Sequence, residues 1–314
     1  MIDTPICRML GIKYPILQGG MAHISDARLA AAVSEAGGLG IISAANGNVE
    51  WLAQQIDLAK SLTDKPFGVN LMLRGDNLDK IAALLADKKV AVVTTGAGNP
   101  ERYIPMWKEA GIKVIPVIAS AALAKLVARS GADAVIAEGG ESGGHVGELT
   151  TMALIPQVCD AVDIPVIAAG GIADGRGVAA SFMLGAVAVQ VGTRFLVATE
   201  CTISRSYKDK VLKAHDTSTI VTGKRLGHPV RSLKTPFSRA YAKAEYTDIS
   251  DDELENMAVG TLRAAVVDGD DKKGCFLAGQ ISGLVNKEQT SKEIIEEIMA
   301  ETENILNGAG KWVK

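Results

Sequence analysis

The sequence predicts an α/β fold, a (β/α)8 barrel carrying an inserted, mainly helical subdomain near its C-terminus. Three observations lead there. Short apolar runs alternate with longer amphipathic segments, and eight such runs occur before residue 192. Hydrophobic residues make up 47% of the chain but aromatics only 4%, so the core is built from Ala, Val, Ile and Leu, as suits a parallel sheet buried on both faces. A barrel uses about 250 residues, and 314 leaves room for one elaboration but not for a second equal domain.

The eight predicted strands are Tyr14–Leu17, Leu39–Ile42, Phe67–Asn70, Val90–Val93, Val114–Ile118, Ala134–Ala137, Pro165–Ala169 and Ala188–Val191. Helical patterns fall between them at Asp26–Ala36, Val49–Leu62, Leu78–Asp87, Arg102–Ala110, Ala121–Ser130 and Arg176–Leu184. Glycines at helix-stop positions recur at Gly37, Gly111, Gly131 and Gly185. A doubly wound sheet is the alternative, and the count of eight favours the barrel. From about Ser204 to Val285 the pattern holds helical stretches but no buried parallel strand. The segment Ser291–Leu306 then restores the rhythm as a candidate eighth barrel helix. The expected division is a barrel over residues 1–203 and 286–314, with an inserted substrate- and cofactor-binding unit over 204–285.

Composition narrows the function classes. A formal net charge of -3 argues against nucleic-acid binding by bulk electrostatics. Cys7, Cys159, Cys201 and Cys275 are far apart and lack metal-ligand spacing, so reduced structural thiols are expected, with no metal site. The N-terminus shows no basic segment followed by an apolar core, and no apolar run reaches the roughly 18 residues of a membrane helix. The cytoplasm is the default location. Between Ser204 and Lys243 ten Lys or Arg face two acids, Asp209 and Asp216, a local balance of +8. That run is either a solvated face or a basic rim that attracts an anionic partner or a phosphate-bearing substrate.

Chemistry is expected where strands end. After the sixth strand comes Glu138-Gly-Gly-Glu-Ser-Gly-Gly-His145, a flexible glycine-rich loop holding one imidazole, the side chain best suited to proton transfer near neutral pH. After the seventh and eighth strands come Ala168-Ala169-Gly170-Gly171 and Gln190-Val-Gly192-Thr193. Their backbone N–H groups, with the dipole of a helix beginning near Asp174, describe a phosphate site. After the first strand, Gly19, Gly20, Met21 and Ala22 allow close backbone approach and an adaptable apolar contact. After the third, Asn70 places an amide beside a heterocycle edge. A phosphate held late in the barrel, with a planar ring reaching strands one and three, describes FMN. Glu138, Gly144, Ala169 and Gln190 complete the expected cofactor contacts. His145 is the candidate catalytic residue. His228, Arg225 and Arg231 are candidates for binding substrate or nicotinamide from the insertion. His23 reads as a residue behind or outside the site, and His215 as a surface residue.

These segments carry a family resemblance. Gln18-Gly-Gly-Met-Ala, Lys65-Pro-Phe-Gly-Val-Asn70, Thr94-Thr-Gly-Ala-Gly-Asn-Pro100 and Gly143-Gly-His-Val-Gly147 resemble the FMN-dependent enoyl-acyl-carrier-protein reductase II family. So do Ala168-Ala-Gly-Gly-Ile-Ala-Asp-Gly175, Gln190-Val-Gly-Thr-Arg-Phe195 and Gly227-His-Pro-Val-Arg231. The nitronate monooxygenases, or 2-nitropropane dioxygenases, share the barrel, the FMN site and the histidine. His23 departs from the pattern, since a Trp is common there in reductase relatives. The resemblance implies FMN, with NADH or NADPH as reductant, a trans-2-enoyl thioester on an acyl carrier protein as substrate and partner, a homodimer, and His145 as enolate stabiliser or acid. The alternatives are nitronate oxidation with O2 and His145 as base, or flavin binding without turnover.

Overall fold

The computed structural model describes residues 2–44, 48–75 and 77–312. The chain opens with helix α1 (Pro5–Leu10), then alternates β1 (Ile16–Gln18), α2 (Ala27–Glu35), β2 (Gly40–Ser43), α3 (Val49–Leu62), β3 (Phe67–Met72), α4 (Leu78–Asp87), β4 (Val92–Gly96), α5 (Ile104–Glu109), β5 (Lys113–Ile118), α6 (Ala121–Arg129) and β6 (Val135–Glu138). A two-residue strand β7 (Gly144–His145) lies in the following loop. Then come α7 (Thr151–Cys159), β8 (Val166–Ala169), α8 (Gly175–Met183) and β9 (Ala188–Val191). Eight parallel strands pair in the order β1-β9-β8-β6-β5-β4-β3-β2. A parallel bridge between Leu17 and Leu39 joins the two ends, so the sheet closes into the expected barrel.

Local sequence explains the outer helices. Side chains of Asp26, Asn48, Ser120 and Asp174 accept from first-turn amides of α2, α3, α6 and α8. Inside the barrel, Leu17, Ile41, Val92, Ile115, Ile136 and Ile167 pack together with Ile6 and Leu10 of α1, which plugs the N-terminal end. The opposite end, where the strands terminate in Gly and polar residues, is left for function.

The inserted segment carries α9 (Arg205–Leu212), β10 (Thr219–Thr222), β11 (Val230–Leu233), α10 (Pro236–Ala244), α11 (Asp251–Ala258) and the short α12 (Thr261–Arg263). It is mostly helical, as expected, yet the part that reaches the His145 loop is a sheet. β10 and β11 form an antiparallel hairpin, and β7 joins it, pairing His145 with Val230 and Gly144 with Arg231. Helix α13 (Ser291–Gly308) then packs on α8 and α2, the place of the eighth barrel helix. The four cysteines form no disulfide. Among the described residues no helix is long and apolar enough to cross a membrane.

Candidate functional site

A cleft of about 500 Å3 opens at the C-terminal end of the barrel, a volume suited to a nucleotide-sized ligand. Of the residues singled out in the sequence, Gly19, Gly20, Met21, Ala22, Asn70, Glu138, Gly144, His145, Ala169, Gly170, Gly171, Gln190, Gly192, Thr193 and His228 all line it. Arg225 and Arg231 do not.

The wall from β1 is shaped by a buried side chain. Gln18 accepts from the Ile41 amide (3.1 Å) and donates to Ser25 Oγ (2.8 Å), and Ser25 Oγ accepts from the Met21 amide (2.9 Å). This network fixes the Gly19-Gly20-Met21 turn. Gly20 lies so close to β3 that a Cβ there would sit 2.3 Å from Asn70 Cβ. Thr94 on β4 donates to Asn70 Oδ1 (2.9 Å), which orients the Asn70 NH2 as the donating end of the amide.

The late-strand turns form an amide cradle. Gly170 and Gly171 both take left-handed conformations, with φ of 85° and 71°. Among the described residues the N–H groups of Gly170, Gly171, Gly192 and Thr193 have no backbone acceptor. Unpartnered amides converging from two turns suit an anion such as a phosphate. The expectation about α8 requires correction. Its first amides are already occupied, Gly175 by Glu301 (2.7 Å) and Arg176 and Gly177 by Asp174 (3.0 and 3.3 Å). The end of that helix is closed to a ligand, so the cradle rests on the two turns alone. The Thr193 hydroxyl is committed too, accepting from the Gly279 amide (2.9 Å).

The His145 loop is not the free glycine loop expected from sequence. Beyond its pairing with β11, the Val146 amide donates to Pro229 O (3.0 Å) and the Gln280 amide to Glu141 O (2.9 Å). Glu141 accepts from the Thr151 amide and hydroxyl (3.0 Å each), tying the loop to the start of α7. His145 is exposed on the cleft wall. Partial burial, then the charge of Arg74 and a contribution from His228, pull its pKa below the usual histidine value. That direction favours the neutral form of the imidazole. On the floor, burial pushes the Glu138 carboxyl up to about 7, partly offset by the Ser142 hydroxyl.

Arg225 and Arg231 act elsewhere. Arg225 donates to the carbonyls of Thr247 (3.1 Å) and Ile249 (2.7 Å) and pairs with Asp251 (2.9 Å), holding the start of α11. Arg231 donates to Gly140 O (2.9 Å) and Thr219 Oγ1 (3.1 Å), bracing the loop from behind. The basic run is weaker than its sequence count. Arg205 and Lys208 pair with Glu288, and Lys210 with Asp271, acids that lie beyond the counted window. His23 adopts a left-handed φ of 60° outside the cleft lining, and His215 is exposed. Arg74, which the sequence reading passed over, lines the cleft. Its only local signal was its place just beyond β3. Among the described residues no group of three or more His, Cys, Asp or Glu is arranged to hold a metal.

Comparison with known proteins agrees with this geometry. The sequence profile of the nitronate monooxygenase family matches residues 3–83 and 72–301. The chain is 49% identical to FabK from Thermotoga maritima, with 100% of both chains covered and a TM-score of 0.97. It is 36% identical to a (3aS,4S,5R,7aS)-5-hydroxy-7a-methyl-1-oxo-octahydro-1H-indene-4-carboxyl-CoA dehydrogenase of Mycobacterium tuberculosis, over 100% of this chain and 99% of that protein. It is 34% identical to a probable nitronate monooxygenase of Staphylococcus saprophyticus, over 98% and 99%. The barrel, its strand-end cleft and these full-length likenesses together establish an oxidoreductase that belongs to the nitronate monooxygenase family.

Proposed function

We propose that the protein is an FMN-dependent reductase of trans-2-enoyl thioesters carried on acyl carrier protein, using NADH or NADPH and acting in the cytoplasm. The observation that carries this reading is the full-length likeness to FabK, an enoyl-acyl-carrier-protein reductase II. The name of the mycobacterial relative also contains a CoA thioester. The residues fit the cofactor: an amide cradle at Gly170, Gly171, Gly192 and Thr193 for its phosphate, and the oriented Asn70 amide for its ring. Bound FMN would supply the redox step, relaying hydride from the nicotinamide to Cβ of the enoyl group.

The chain's own groups do the rest. Gly19, Gly20 and Met21 offer one wall for a flat ring. Negative charge develops on the thioester oxygen as Cβ is reduced. His145, neutral and on the cleft wall, donates a hydrogen bond to that oxygen through whichever ring nitrogen bears its proton. Its depressed pKa suits this role better than full proton donation, because a neutral imidazole is a weak acid, and the proton that completes the reduction at Cα then comes from solvent in the open cleft. Residues 204–285 serve as the substrate-binding unit over the barrel mouth, braced against the His145 strand.

Two observations favour a second reading, nitronate oxidation by O2. A neutral His145 is also poised as a base toward a carbon acid, and the family profile bears the nitronate monooxygenase name. Anaerobic mixing of the flavin-loaded protein with NADH or NADPH separates the two. Fast bleaching of the flavin, reversed by a crotonyl thioester, supports the reductase. Negligible bleaching, with O2 uptake on a nitronate, supports the monooxygenase.

A further inference from the structure

We propose that Arg74 and His228 form an anion clamp at the cleft that takes a phosphate group of the incoming substrate. The proposal rests on the reductase reading for the identity of that substrate. Arg74 follows β3 of the barrel, and His228 sits in the turn between β10 and β11. The two meet across the cleft, Arg74 Nη1 lying 3.2 Å from His228 Nδ1, and both line it beside His145.

The chemistry of that contact is fixed by the arginine. A guanidinium has only donors and stays protonated, so His228 Nδ1 accepts and its ring proton resides on Nε2. The pair then presents nothing but N–H groups: the remaining donors of Arg74 and Nε2–H of His228. Among the described residues no carboxylate pairs with either side chain, whereas Arg205, Lys208, Lys210 and Arg225 all have acids. Of the two acids lining the cleft, Glu141 accepts from the Thr151 amide and hydroxyl, and neither it nor Glu138 forms an ion pair with Arg74 or His228. A fork of donors with no ion-paired carboxylate among the described residues matches phosphate.

The turn that presents His228 is built for the purpose. The His228 amide donates to Gly223 O (3.0 Å) and the Gly227 amide to Lys224 O (3.1 Å). Gly223 has φ of 80°, and a Cβ there would lie 2.4 Å from His228 O, so the backbone of the turn packs closely against His228. The clamp draws on β3 and the insertion. It is separate in its residues from the amide cradle after β8 and β9, so it is available when the cradle is filled.

Two sources could supply the phosphate: the reductant, or the phosphopantetheine arm of a carrier or CoA thioester. The test uses flavin-loaded protein, with the cradle filled, and the variants Arg74→Gln and His228→Asn. Inorganic pyrophosphate should raise the Tm of the parent protein, and this shift should disappear in Arg74→Gln with flavin content unchanged. In steady state, Arg74→Gln should raise KM about tenfold for its phosphate-bearing partner, the size expected for losing a charged hydrogen bond. A rise for NADH or NADPH assigns the clamp to the reductant. A rise for crotonyl-CoA exceeding that for crotonyl-N-acetylcysteamine, which lacks the phosphate, assigns it to the carrier arm. Arg74→Lys should restore part of either effect through charge alone. Pyrophosphate protection that persists in Arg74→Gln, or KM values within twofold of the parent for every phosphate-bearing substrate, overturns the proposal. The Tm arm needs no turnover. Loss of protection in the variant of a protein that fails to reduce enoyl thioesters would uphold the clamp and reject only the reductase reading.

Discussion

Replacing Gly20 by Ala tests whether the cleft wall and the Asn70 amide are fitted to each other. The added Cβ would lie 2.3 Å from Asn70 Cβ and 2.9 Å from its Cγ. Ordinary carbon contacts begin near 3.5 Å, so one side must retreat by about 1 Å. Neither side is free to do so. Asn70 stands on β3 between β2 and β4 and accepts from Thr94, while Gly20 belongs to the turn held by Gln18 and Ser25. Overpacking of this kind costs about 1–3 kcal/mol, and loss of the Thr94–Asn70 hydrogen bond about 1 kcal/mol more. Urea unfolding of the flavin-free protein should therefore show a loss of about 2–4 kcal/mol. The displaced Asn70 should weaken FMN binding roughly tenfold, read by flavin fluorescence. Gly192→Ala is the matched control. Its Cβ meets nothing nearer than Met21 Sδ at 3.7 Å, so stability should stay within about 0.5 kcal/mol while FMN retention falls, because the methyl stands where a phosphate approaches the backbone. A Gly20→Ala protein with parental stability and flavin affinity would refute the fitted wall. A Gly192→Ala protein with full flavin content would place the phosphate elsewhere.

Three further outcomes are expected. His145→Ala should keep FMN and flavin reduction by NAD(P)H but lose about 10²–10³-fold in enoyl reduction, as stopped-flow measurement of the two half-reactions would show; equal losses in both would make it a pocket-shaping residue. Gly171→Asp should abolish flavin retention, because it combines a φ of 71° with a carboxylate whose Cβ is 3.3 Å from the Glu141 side chain, in the proposed phosphate cradle; unchanged stoichiometry counts against the cradle. Glu138, held protonated up to about 7 against an ordinary 4.5, binds its proton in the folded state where the unfolded chain has released it. Its contribution is complete below about pH 4.5 and is lost as pH rises through about 7, up to about 3 kcal/mol in all. Glu138→Gln should flatten the fall in Tm of the flavin-free protein between pH 5 and pH 8, and an unaltered pH profile would contradict the buried carboxyl.

The barrel was legible because its signals are local. The helices at Val49–Leu62 and Leu78–Asp87 coincide with their periodic patterns, and Asp26, Asn48, Ser120 and Asp174 mark starts by a cap that needs only the next three residues. Glycine turns at strand ends were legible for the same reason. What escaped notice lacked such a signal. Helix α7 is short, mostly apolar and contains Pro156, and α1 precedes the first strand of the rhythm. The charged residues were misread where their partners are distant. Arg225 reads as a free cation until Asp251 and two carbonyls claim it, and Lys208 until Glu288 does. The closed end of α8 was in principle readable, since an Asp two residues before Arg176 is a capping residue before it is the edge of an anion site.

His145 lines the cleft, but its surroundings are not those its sequence neighbours imply. Four glycines in its loop imply freedom, and glycine does permit many backbone conformations. Permission is not selection. The conformation is selected by β11, some 85 residues later in the chain, through the pairing of Val230 with His145 and Arg231 with Gly144. Arg231 adds its bond to Gly140 O, and Pro229 O accepts from Val146. The insertion therefore does more than roof the barrel: it supplies the edge strand that sets the position of the histidine. A reading that assigns the imidazole to the barrel and the substrate to the insertion divides what the backbone joins. Any change that shifts the β10–β11 hairpin must move His145 relative to the cradle of Gly170 and Gly171, because the cradle belongs to the closed barrel sheet and the histidine strand does not. A shift of the hairpin is thus a direct route to changing where the imidazole stands relative to the barrel turns.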